Sequence, residues 1–149
     1  MFAKEGQDTM SIKLFYPDQS SGLALPAVGQ ISAGFPSPAA DYLEAVLDLN
    51  DVLIKNPSAT FYGTVQGNSM TGAGVENGDL LVIDKAVPYR HGALAVCYLD
   101  GEFTLKRLKR EGENLYLMPA NPSYKPIMVR EGSDFAVWGI VTYIIKKVY

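Results

Sequence analysis

Two strand-like runs, the apolar Leu94–Leu99 and the mixed residues 102–108, meet at Asp100-Gly101. Asp-Gly between such runs is a strong hairpin signal, because both central residues of a type I′ turn need φ > 0. That one turn commits the middle of the chain to antiparallel pairing. The neighbouring sequence repeats the theme. Residues 59–66 are rich in aromatic and β-branched side chains, Leu80–Asp84 is a short apolar run, and residues 115–118 and 137–148 complete the set. Turn signals separate them at Glu76-Asn77-Gly78-Asp79, Pro88, Gly92, Glu111-Gly112, Asn121-Pro122 and Glu131-Gly132. Many short strands at this spacing predict a mostly β body, barrel-like or sandwich in type.

The chain before residue 40 obeys other rules. Residues 17–38 are dense in Pro, Gly and Ser, among them Pro17, Gly22, Pro26, Gly29, Gly34, Pro36 and Pro38. Such a stretch cannot propagate a helix or sit in a central strand. It predicts an extended, mobile arm over residues 1–40, with the β-rich domain over 41–149. Residues 41–54 have helical spacing, with Tyr42, Leu43, Val46 and Leu47 on one apolar face and Asp41 as N-cap, Glu44 following three residues on. One or two short helical pieces are expected there, stopped by Asn56-Pro57.

Composition removes whole classes of function. The 149 residues are 48% hydrophobic and 19% charged, enough for one real core without cross-links. Cys97 is the only cysteine, so no internal disulfide and no multi-thiolate zinc site is possible. One histidine, His91, argues against a metal centre, and no cofactor is expected. A net charge of −3 lacks the basic footprint of a freestanding nucleic-acid binder. Met1 to Asp8 carries Lys4, Glu5 and Asp8 with no apolar stretch behind them, and no long apolar run follows elsewhere. A cytoplasmic protein without a membrane span is expected.

Three places could carry chemistry. Gly67-Asn68-Ser69-Met70 follows a predicted strand, where a serine can be exposed on a tight turn beside backbone N–H groups; it also reads as a plain turn. It is not the hydrolase elbow G-x-S-x-G, because Thr71 holds the last position, and a histidine triad would have to use His91 in a surface turn. Gly72, Gly74 and Gly78 are spaced wrongly for a dinucleotide fingerprint. Lys106 is second. On a strand it shares a face with Thr104 and Leu108. A neutral lysine can activate a serine if it is desolvated. At an unperturbed pKa only about one lysine in 2,500 is neutral at pH 7, and holding it neutral costs about 4.6 kcal/mol, within reach of full burial. Spacing alone leaves this open against a solvated basic strand end. The third place is Ala33-Gly34, two small residues in the arm with Pro36 and Pro38 just downstream, where a serine could approach the peptide bond closely.

Taken together and in order, these residues resemble UmuD-type proteins, relatives of the LexA repressor and more distantly of signal peptidases. The landmarks are Ala33-Gly34-Phe35-Pro36-Ser37-Pro38-Ala39-Ala40-Asp41-Tyr42, Asp48-Leu49-Asn50, Gly67-Asn68-Ser69-Met70, Gly78-Asp79-Leu80-Leu81-Val82-Ile83-Asp84 and Asp100-Gly101-Glu102-Phe103-Thr104-Leu105-Lys106. The resemblance covers residues 32 to 149 and implies a LexA-like, β-clip type domain that cuts its own chain. It implies Ser69 as nucleophile, Lys106 as general base, the Ala33-Gly34 bond as the cleavage site, and the backbone amides of Asn68 and Ser69 as oxyanion hole. It implies a homodimer, stimulation by a RecA filament on single-stranded DNA in the SOS response, and an accessory role to a UmuC-like Y-family polymerase in translesion synthesis, with the sliding clamp as a further partner. Many relatives have Asp where this chain has Asn68. A repressor of LexA or phage type is the rival reading, but Pro17, Gly22, Pro26 and Gly29 break up the residues before Gly34, so no helix-turn-helix is expected there. A non-catalytic polymerase-binding module is the other.

Overall fold

The computed structural model describes residues 11–15, 24–28, 43–67, 71–120 and 123–149. Eight strands form one antiparallel sheet: β1 (Ser11–Phe15), β4 (Thr60–Gln66), β5 (Leu80–Asp84), β10 (Phe135–Ile145), β6 (Leu94–Leu99), β7 (Glu102–Glu111), β8 (Asn114–Met118) and β9 (Ile127–Met128), in that order across it. β2 (Ala24–Val28) and β3 (Leu43–Asp48) pair as a separate two-stranded unit. A five-residue helix, α1 (Leu49–Leu53), and short 3₁₀ turns at Pro57–Ala59 and Thr71–Ala73 complete the described elements. The large sheet curls on itself, so that β1 at one end of the order comes within 8 Å of β7. The turn spacing predicts a mostly β body, barrel-like or sandwich in type; the mostly β character is observed, as one eight-stranded antiparallel sheet.

The hairpin at the centre forms as its sequence requires. Leu99 pairs with Glu102 across Asp100 (φ +48°) and Gly101 (φ +91°), both in the left-handed region that a type I′ turn needs. β7 then runs on to Glu111, three residues beyond the predicted end, because Arg107 to Glu111 find a second partner in β8.

Alternation along the strands buries both faces of the sheet. Val65, Leu81, Ile83, Val96 and Leu105 form one core cluster. Ala95, Cys97, Leu108, Leu117 and Ile140 form another, from residues of opposite parity on β6. β10 lies between β5 and β6 and has register shifts at Val137/Gly139 and Val141/Tyr143. Bulges of this kind bend a strand and let a sheet curl.

Three differences from the sequence reading have physical causes. Residues 43–48 form a strand, and only Leu49–Leu53 is helical. The N-cap is Asp48, whose carboxylate accepts from the Asn50 N–H at 2.9 Å; Asp41 lies outside the described residues. A short apolar run satisfies helix and strand patterns alike, and a partner strand decides between them. That partner is β2, inside the stretch read as an arm. It tolerates Pro26 because a two-stranded unit has only edges, and the pairing shifts between Pro26 and Ala27. β1 was not foreseen either, although Ile12 and Leu14 alternate and pack against the first core cluster.

One buried carboxylate ties the irregular segment to the sheet. Asp84, 4% exposed at the end of β5, accepts from Asn56 Nδ2 at 2.7 Å and from the Ala86 N–H at 2.8 Å. Asp84→Ala leaves both donors without this acceptor and should lower unfolding free energy by about 2 kcal/mol. Denaturant unfolding of the two proteins measures it, and a change below about 0.5 kcal/mol would remove Asp84 from this structural role.

Candidate active site

Lys106 lies in the middle of β7, paired with Ala95 of β6. Its position in the ladder turns its side chain to the face that carries Thr104 and Leu108, opposite Cys97 and Ala95. These neighbours are mostly apolar, and Lys106 is 1% exposed. The solvated strand end, open on spacing alone, is not what forms. Lys109, three residues on, is at the surface, paired with Glu111 at 2.6 Å.

A lysine cannot stay inside such surroundings as an ordinary cation. Burial pushes the Lys106 pKa down from 10.5 to about 8. About one molecule in ten then carries the free amine at pH 7, against about one in 2,500 for an exposed lysine. The amine is also held in place. Nζ donates to Thr104 Oγ1 at 2.8 Å and to the Leu105 carbonyl at 3.1 Å. These acceptors help to orient the nitrogen. Across the ladder, burial pushes the Cys97 thiol up to about 12, so it stays protonated and adds no charge beside the amine.

Ser69, Asn68, Ala33 and Gly34 lie outside the described residues, as does the geometry between Ser69 and Lys106. The chain on either side of Ser69 is described. β4 ends at Gln66, and the Gly67 N–H donates to Asn77 Oδ1 at 3.3 Å. The Val65 N–H donates to the Asp79 carbonyl at 3.0 Å, and the Gly78 N–H donates to the Val65 carbonyl at 2.8 Å. Asp79 is itself fixed, accepting from the Glu76 N–H at 2.8 Å and bonded to Lys146. The turn at 76–79 thus braces the point where the chain leaves β4. Val65 before the gap, and Ala73 and Val75 after it, belong to one core cluster with Leu105, the residue next to Lys106.

Thr104, Asn77 and Asp79 were not singled out as parts of the site. Period-two alternation placed Thr104 beside Lys106, but nothing in a single sequence says that its hydroxyl takes the amine. His91 is exposed, and its Nδ1 accepts from the Arg110 N–H at 3.3 Å. Among the described residues no cluster of His, Cys, Asp and Glu suits a metal ion, and no helix is long and apolar enough to cross a membrane.

Residues 26–142 match the model of the Peptidase S24-like family. The chain belongs to that family. It is a serine peptidase of the self-cleaving kind, and the resemblance drawn from its motifs holds. It is 43% identical to Protein ImpA of Escherichia coli over 116 residues, covering 77% of this chain and 78% of the relative. To Protein SamA of Salmonella typhimurium it is 44% identical over 115 residues, 77% and 79% of the two chains. To Protein MucA of Escherichia coli it is 36% identical over 115 residues, 76% and 78%.

The lowered pKa has a stability consequence with a definite sign. Between pH 8 and 10.5 the unfolded chain binds the lysine proton more tightly than the folded chain, so stability rises with pH across that window and the penalty is complete below it. A drop from 10.5 to about 8, at about 1.36 kcal/mol per pH unit, makes that penalty about 3 kcal/mol. Lys106→Met should remove this rise and make the protein about 1–3 kcal/mol more stable at pH 7. Unfolding curves at pH 7 and pH 10 check both signs.

Proposed function

We propose that this peptidase cuts its own chain at the Ala33-Gly34 bond, with Ser69 as nucleophile and Lys106 as general base. The observation that carries the reading is a buried lysine with a lowered pKa at the position where the resemblance requires one. The free amine of Lys106 takes the Ser69 Oγ proton. The alkoxide attacks the Ala33 carbonyl carbon, and the backbone N–H groups of Asn68 and Ser69 hold the oxyanion. The intermediate collapses, the bond to the Gly34 nitrogen breaks, and the Lys106 ammonium returns its proton to that nitrogen. Water then hydrolyses the Ser69 ester, leaving a carboxylate on Ala33 and the hydroxyl restored. Thr104 and the Leu105 carbonyl keep the amine aimed throughout.

The resemblance to UmuD-type proteins, with the similarity to ImpA, SamA and MucA, supports the following biological setting. The residues before the cut act as a regulatory arm and residues 41–149 as the catalytic body. A RecA filament on single-stranded DNA stimulates the cut during the SOS response. The shortened chain forms a homodimer and serves as the accessory subunit of a UmuC-like Y-family polymerase that copies across lesions. The reaction takes place in the cytoplasm.

Purified protein incubated from pH 6 to 10 should release a fragment beginning at Gly34, without any partner. The rate should climb about tenfold per pH unit below pH 8 and level off above it, following the fraction of free amine. Mass spectrometry identifies the fragment. Ser69→Ala should give a folded, uncut chain at every pH. A rate that does not respond to pH, or the same fragments from Ser69→Ala, would mean that another protease makes the cut. Thr104→Val removes one hydrogen bond to the amine and should slow the cut at pH 7 by about tenfold while leaving the fold intact.

A further inference from the structure

Everything upstream of the proposed cut that the structure describes is strand, and each strand pairs with residues downstream of the cut. β1 pairs with β4 from Ser11↔Gln66 to Phe15↔Tyr62. β2 pairs with β3 from Ala24↔Asp48 to Val28↔Leu43, so the connection over residues 29–42 contains Ala33 and Gly34. A cut between Ala33 and Gly34 breaks none of the described strands.

The docking of β1 is built in detail. The Val65 amide and carbonyl are directed to Asp79 and Gly78, so alternation turns those of Tyr62, Thr64 and Gln66 toward β1. Ile12 and Leu14 pack into the first core cluster. Gly63 makes room for them: a Cβ there would lie 2.8 Å from Ile12 Cγ2 and 3.5 Å from Leu14 Cδ2. β1 also comes within 8 Å of β7, the strand that carries Lys106, and so closes the curl of the sheet on that side.

We propose that the two upstream strands, Ser11–Phe15 and Ala24–Val28, form a clamp that keeps the upstream fragment docked after the chain is cut, so that cleavage produces a nicked complex and loss of the fragment is a separate, later step. The proposal rests on the reading of Ala33-Gly34 as the cleavage site. Two ladders on different parts of the body reinforce each other: when one strand lifts, the other holds it at high effective concentration for return. The occupant of the outer edge of β4 is thus the chain's own Ser11–Phe15 until both ladders have opened, and that edge becomes available to another extended strand only then.

The test uses the full-length chain in two forms, wild type allowed to cut itself and Ser69→Ala with a site-specific protease's recognition sequence inserted between Ala33 and Gly34. After nicking, native mass spectrometry and gel filtration at about 10 µM should show one species containing both pieces, which separate in denaturant. Lys13→Pro deletes the backbone donor opposite Thr64, and in the nicked protein it should speed fragment loss at least tenfold. A fragment that elutes alone as soon as the chain is nicked, in either form, overturns the clamp, as does a Lys13→Pro variant that holds it equally well. Failure of the wild type to nick itself, beside retention in the inserted-site form, would overturn the cleavage reading and leave the clamp standing.

Discussion

The proposed chemistry of this molecule depends on one desolvated amine. Lys106 pairs with Ala95 of β6, one residue before β7 gains its second partner β8 at Arg107, and shares its face with Leu108, Ala95 and Cys97. Water is excluded from it, and the cation becomes expensive. That expense is borne by the fold at neutral pH and is also the source of basicity: the same desolvation that destabilises the charged form supplies the free amine. A pKa of about 8 balances the two, low enough to populate the base and high enough for it to accept a proton.

The sheet surrounds that amine with purpose. Its two buried faces provide a core on each side of β6 and β7, so the strand carrying the lysine is fixed from both directions. The brace at 76–79 fixes the exit of β4, the strand that leads to Ser69. β1 reaches round the curl to β7. Lys106 is thus held within a paired strand between two packed cores. Under the proposed mechanism, slow and regulated self-cleavage would follow from the small fraction of free amine at neutral pH and from the need to bring the scissile bond to it.

Much of this was legible in the residues. Asp100-Gly101 committed β6 and β7, and turn chemistry placed β4, β5 and β8 to within a residue or so, because local backbone requirements decide those elements. Lys106 was legible as a candidate through its parity with Leu108, but its burial depends on β6 and β8 closing over it, which no local pattern encodes. β2 and β3 were missed for a related reason. A proline-bearing segment and an ambiguous apolar run each read differently alone, and become strands only as partners. The role of Thr104 is a matter of side-chain geometry and appears only once the fold exists.

Direct titration of the lysine tests the central claim. NMR of the side-chain carbon and nitrogen nuclei of Lys106 in Ser69→Ala protein, which stays uncut, reports its protonation in the folded state. The account predicts a midpoint near pH 8, well below the ordinary lysine value of 10.5. A midpoint near 10.5 would show a solvated cation and contradict it.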